Sequence, residues 1–151
     1  MSRYLLLGAI IVACLITGCG GGGGGFPGAE WDVGTKHLSF TGAGAAWDPD
    51  GDTLSIAFLQ TASGFPMITV LIEDISTATV GNSIDASVTV MVNSSETYSD
   101  DSPASVVFTK LSLKDGGSLS ASISGSVERL ESPYNVVGIA STWSSIPILG
   151  I

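Results

Sequence analysis

Cysteine is nearly absent from this 151-residue chain: Cys14 and Cys19 are the only two, both near the N-terminus. Everything after Cys19 lacks a thiol. That excludes a disulfide framework, a cysteine-based zinc cluster and a thiol nucleophile from the rest of the chain. Histidine occurs once, as His37. Ser-His-Asp chemistry would rest on that single imidazole, and no Gly-x-Ser-x-Gly elbow accompanies it. Basic side chains are also few, with 5 Lys and Arg against 14 Asp and Glu. So acidic a chain has no basic face for nucleic-acid phosphates and no charge-driven attraction to anionic headgroups. The general effect of such acidity is solubility. No segment carries an amphipathic helical stripe with capping signals.

Long apolar runs are confined to the start. Met1-Ser2-Arg3 carries one positive charge, and Tyr4 to Ile16 are almost wholly apolar. The run is shorter than the ~20 apolar residues that span a bilayer, so it fits a secretory signal peptide. Leu15-Ile16-Thr17-Gly18-Cys19 follows, then six consecutive glycines, Gly20 to Gly25. A glycine run has no side chains to pack and the largest backbone entropy to lose, so it suits a flexible tether. No strand precedes it and no Gly-Lys-Ser/Thr closes it, which argues against a phosphate-binding loop.

The pentapeptide at 15–19 resembles the lipobox of bacterial lipoproteins: an aliphatic residue, two small or short positions, then the modified cysteine. The resemblance implies cleavage before Cys19, diacylglyceryl on its sulfur and acylation, such as palmitate, on its nitrogen. Several acyl chains on one residue anchor stably, since each buried CH₂ contributes roughly 0.8 kcal/mol. Gly20 directly after the lipidated residue implies delivery to the outer membrane. Removal of residues 1–18 leaves 133 residues, and loss of Arg3 takes the net charge to −10.

From Lys36 onward the apolar pattern has period two, the signature of strands. Leu54, Ile56 and Phe58 alternate with small or polar residues, as do Ile68, Val70 and Ile72. Ile84, Ala86, Val88, Val90 and Val92 form one inward face opposite Asp85, Ser87, Thr89 and Asn93. Leu119, Ala121, Ile123, Gly125 and Val127 form another, opposite a row of serines from Ser118 to Ser126 that suits a solvated sheet face. Ala104 to Leu113 makes a further strand. Asp115-Gly116-Gly117 behind it is a hairpin signal. Tyr134 to Trp143 adds a last strand. Together these predict an all-β fold: a single antiparallel β-sandwich, or barrel-like domain, of about seven or eight strands over residues 36–151. Residues 1–18 form the leader and 19–35 the lipidated cysteine with its linker. The order of elements, and the stretch Val106 to Glu128, are similar to small bacterial lipoproteins that carry one β-sandwich behind a glycine linker. That similarity implies fold and location, and no activity.

Asp48-Pro49-Asp50-Gly51-Asp52 is the sharpest local motif. Alternate carboxylates around a glycine turn offer oxygen ligands to a hard cation. Gly51 falls too early for an EF-hand loop, and Leu59 stands where the bidentate Glu would be. The stretch resembles the Asp-Pro-Asp-Gly-Asp loops of bacterial cadherin-like repeats, which implies calcium ligation by Asp48, Asp50 and Asp52. The same residues are also the usual ones for a surface turn between strands. Glu96, Asp100 and Asp101 form a second acidic group, expected in a loop. A glycosidase needs two carboxyls in contrasting environments, and nothing in the sequence sets these across a cleft. Trp31, Trp47, Trp143, Tyr98 and Tyr134 are candidates for a sugar-stacking face or for core packing.

The leading expectation is therefore an outer-membrane, lipid-anchored envelope or surface lipoprotein. Its role is non-enzymatic, structural or binding, with no cofactor and a protein or glycan ligand. The alternatives are a calcium-dependent adhesion or carbohydrate-binding module using the Asp48 loop, and an envelope hydrolase.

Overall fold

A computed structural model describes residues 26–60 and 64–151. The expected leader, the expected lipidation position Cys19 and the glycine run lie outside the described residues. The described chain is all-β, as the period-two pattern predicts. Its ten strands are β1 (Ala29–Val33), β2 (Lys36–Phe40), β3 (Gly42–Asp48), β4 (Thr53–Leu59), β5 (Met67–Glu73), β6 (Ser83–Asn93), β7 (Glu96–Asp100), β8 (Ala104–Leu111), β9 (Ser118–Arg129) and β10 (Val136–Gly150). One short 3₁₀ turn, Ile75–Thr77, interrupts them.

The strands close into a barrel of seven rows, so the barrel-like form of the expected fold is the one adopted. Around the ring run β3, β4, β5, β6, a row shared by β7 and β8, then β9 and β10. β6 pairs with β8 through Ser83–Ala86 and with β7 through Thr89–Asn93. β9 switches partners in the same way, from β8 to β7. Closure is made by β10, whose end lies parallel to β3 with Ile148 opposite Ala45 and Gly150 opposite Trp47. The first half of β10 binds β1 instead, with Val33 opposite Ile139. The β1–β2 hairpin thus extends the sheet beyond the ring.

Residues 29–35, expected in the linker, are β1 and its turn. Trp31 and Val33 are buried, so the domain starts before Lys36. Glu96–Asp100, expected in a loop, is strand β7. The last strand runs well past Trp143. Its register shifts between Trp143 and Ile146, where Ser145 takes φ +57°. That bulge lets Trp143, Ile146 and Ile148 all face inward.

Small barrels are filled by their own side chains, and this one is. Leu54, Ile56 and Phe58 of β4 meet Ile68, Val70 and Ile72 of β5, then Val88, Val106, Phe108, Leu119 and Val127 around the ring, in one core cluster. Phe58 sits at its aromatic centre, with ring centroids of Trp143, Trp31, Phe40 and Phe26 at 5.0, 5.3, 6.0 and 6.3 Å. The indole N–H groups of Trp31 and Trp143 are buried without a hydrogen-bond partner among the described residues. Ser141, a buried polar residue of β10, donates its hydroxyl to the Glu30 carbonyl at 2.6 Å and ties β1 to the ring.

The Asp115-Gly116-Gly117 signal is realised as a longer connection from Ser112 to Gly117. Asp115 Oδ1 accepts the Gly150 amide at 3.2 Å, so the loop binds β10 as well as joining β8 to β9. Gly117 is required there: a Cβ would lie 2.0 Å from the Ser112 carbonyl oxygen.

Candidate binding surface

The Asp48-to-Asp52 motif is the turn between β3 and β4. Asp48 Oδ1 accepts the amides of Asp50 and Gly51, each at 3.0 Å, in a side-chain-mediated turn. Asp52 takes φ +49° and turns its carboxylate to the 3₁₀ segment, where Oδ1 accepts the Ser76 amide at 2.8 Å and Oδ2 the Ser76 hydroxyl at 2.6 Å. Asp50 is exposed. Asp48 and Asp52 are thus accounted for by backbone organisation at two separate points. Among the described residues no group of three or more acidic, His or Cys side chains is gathered as a metal site.

His37 and Asp32 face each other across the β1–β2 pair, with Nδ1 against Oδ1 on the open surface. No serine hydroxyl bonds to His37 among the described residues. The carboxylates Glu73, Asp74 and Asp85 border a groove of about 490 Å³ that opens where β5 and β6 separate after Leu71 opposite Ser87. All three are exposed, whereas paired-carboxylate hydrolysis needs two carboxyls in contrasting surroundings. Of the five aromatic candidates for a sugar face, Trp31, Trp143 and Tyr98 are buried and Trp47 is half-buried, which leaves Tyr134 exposed.

The most organised polar cluster was not predicted as a unit. It joins the start of β2, the start of β7 and the end of β9. Tyr98 donates its hydroxyl to Glu96 Oε1 at 2.9 Å, and Lys36 Nζ lies 3.4 Å from the same oxygen. Burial alone would raise the Glu96 carboxyl. The Tyr98 hydrogen bond and the Lys36 and Arg129 charges outweigh it and hold the group below its ordinary range. Tyr98 is displaced upward, by burial first and then by its bond to Glu96. At neutral pH the pair is therefore a carboxylate held by a phenol that remains protonated. Arg129, opposite Tyr98 in register, has its Nε 3.8 Å from Glu131 Oε2. The carboxylates are thus engaged by Tyr98, Lys36 and Arg129, although Arg129 Nε is buried with no hydrogen-bond partner among the described residues.

What the cluster does is hold the β9–β10 loop. Glu131 Oε2 accepts the Thr97 amide at 2.9 Å, the Leu130 amide donates to the Thr97 carbonyl at 2.9 Å, and the Arg129 amide donates to the Asn135 carbonyl at 2.9 Å. Gly34 N donates to the Gly138 carbonyl just beyond it. Gly34 has φ +61°, and a Cβ there would press on Val137 at 3.2 Å, so the β1–β2 turn is fitted closely against the base of the loop. On this fixed loop and the first residue of β10 stand three of the large apolar side chains that the domain exposes: Leu130 at 54%, Tyr134 at 70% and Val136 at 52%. Single exposed apolar residues are ordinary, and a group on and beside one pinned loop is a candidate interaction surface. Sequence alternation does not reveal it, because Leu130 and Tyr134 belong to no strand. The chain matches no family model, no curated protein and no solved structure in the comparisons made.

Proposed function

We propose that this chain is a membrane-anchored envelope or surface lipoprotein, held through lipid on Cys19, whose barrel has a non-enzymatic binding or structural role. The lipobox-like segment and the glycine tether support the anchor. No described helix is long and apolar enough to cross a membrane. The observation that carries the binding role is the division of labour at the β9–β10 end. Lys36, Glu96, Tyr98, Arg129 and Glu131 there are engaged with one another, while Leu130, Tyr134 and Val136 face solvent on and beside a loop fixed by backbone hydrogen bonds. A core packed with apolar side chains belongs to a scaffold that acts through its surface.

Fractionation of cells tests the anchor. Wild-type chain partitions with membranes after high-salt and carbonate washing and travels with outer-membrane markers on a density gradient. Cys19→Ala releases it to the soluble fraction. A mutant that stays in washed membranes overturns the anchor, and co-migration with inner-membrane markers overturns the outer-membrane location.

A further inference from the structure

Leu130 leads, through Thr97, to two methionines on the outer surface of the barrel. The Leu130 amide bonds Thr97; Thr97 is the register partner of Met91, and Met91 that of Met67. Both methionines are half-buried. Thioether side chains adapt to irregular partners, which is why they recur on binding surfaces. Val136 lies on the neighbouring row, opposite Glu128, and Tyr134 stands in the same loop as Leu130. From their fractional exposures, the three loop side chains present on the order of 300 Å². That is the size of a contact centre, less than the ~800 Å² per side of a standard interface. A partner therefore reaches past the loop, along the methionine row.

Charge decides which partner fits. Glu128 is the register partner of Val136 and lies beside the patch, exposed and without an ion pair or hydrogen bond among the described residues. The two basic residues at this end, Lys36 and Arg129, are already engaged with Glu96 and Glu131. The whole chain carries 14 acidic residues against 5 basic ones. A second copy would bring like charge to like charge, and an anionic lipid surface would be repelled in the same way. A cationic protein segment with apolar side chains gains on both counts.

We propose that the β9–β10 loop, with Leu130, Tyr134 and Val136 at its centre and Glu128 beside them, docks a Lys/Arg-bearing apolar segment of a partner protein. This rests on the binding role argued above and specifies its partner. The loop is held before binding by its backbone hydrogen bonds, so little ordering entropy opposes the contact.

The test places photoreactive benzoylphenylalanine at position 134 of the full lipidated chain and irradiates intact cells. The expected product is an adduct to another protein whose crosslinked peptide is net positive. Glu128→Lys should lower its yield about tenfold, while Lys110→Glu, on the distant β8 end, should leave it unchanged. Leu130→Ser should also lower the yield with the melting temperature preserved, which separates contact loss from misfolding. An adduct at twice the chain mass, an adduct to lipid, absence of any adduct, or a protein adduct indifferent to Glu128→Lys each overturns the proposal. Repeating the irradiation with Cys19→Ala separates the two readings. A Cys19→Ala chain that stays in washed membranes and still gives the adduct sinks the anchor and leaves the docking surface standing, whereas a released chain that gives it upholds both.

Discussion

Asp52 offers a direct test of how the β3–β4 turn is held. Its carboxylate accepts two hydrogen bonds from Ser76, at 2.8 and 2.6 Å, and its backbone sits at φ +49°. Hydrogen bonds to a charged group stabilise by roughly 1.5–3 kcal/mol when protected, and less where solvent competes. Ser76 is exposed and Asp52 half-buried, so Asp52→Ala should cost about 1.5 kcal/mol in all. For a domain of this size that is a fall in Tm of roughly 4–8 °C. The left-handed backbone supplies an internal control. Glycine adopts it freely and alanine does not, a difference of about 1 kcal/mol. Asp52→Gly should therefore lose less than Asp52→Ala although both delete the carboxylate. Asp52→Asn, which tolerates the same backbone and keeps one acceptor, should lose least. Thermal unfolding followed by circular dichroism gives the order Asp, Asn, Gly, Ala. An alanine variant as stable as wild type would refute the hydrogen-bond account, and glycine below alanine would refute the backbone account. If the loop were instead a calcium site, millimolar calcium would raise the wild-type Tm and Asp50→Asn would remove the rise, because a ligand bound at 100 times its Kd adds about 2.7 kcal/mol.

Three further outcomes are expected. Phe58→Ala empties the centre of four aromatic contacts and should destabilise by about 3–5 kcal/mol in a denaturant titration; a loss under ~1 kcal/mol would mean the core re-collapses freely. Gly117→Ala puts a Cβ on the Ser112 carbonyl and must displace the β8–β9 connection, so amide exchange in residues 112–117 should speed up strongly, and unchanged protection would contradict the close approach. Glu96 is held below its ordinary value of 4.5, so its contribution to stability is present above that value and is lost as pH falls through the lower, folded one. Tyr98→Phe should raise the Glu96 carboxyl toward its ordinary range in an NMR titration, and a carboxyl that stays put would show that Lys36 and Arg129 alone hold it.

How much of this was legible in the sequence depended on what each segment buries. β4, β5, β6 and β9 follow their alternation closely, because each has one face in the barrel and branched or aromatic residues on it. β3 escaped notice because Gly42-Ala43-Gly44-Ala45-Ala46 contains no large β-forming residue; its small side chains fit where β10 closes the ring. β1 is five residues beside a glycine run, too short for its alternation to register, although Trp31 is among the most buried residues. β10 was cut short at Trp143 since the Ser145 bulge breaks the period that defines it. Pro147 within the same strand discourages a central assignment as well. The acids of the Asp48 turn were visible as residues, but their partner Ser76 is 24 positions away, a distance that only the fold closes. The Glu96 cluster and the exposed loop stayed hidden for the same reason: they join strands far apart in the sequence.

The position of β10 also governs when the barrel can exist at all. The strand that completes the ring follows every other described strand in the chain, and its partners are β1 and β3, near the start of the domain, together with β9. No closed structure is available to a nascent chain until residues 146–150 have left the ribosome. Contacts of such long sequence separation also form slowly, since the loop-closure entropy precedes any reward. A chain bound for export must remain threadable until it has crossed the membrane. For the exported lipoprotein proposed above, the order of synthesis would itself delay the barrel and leave the crossing to an unclosed polypeptide.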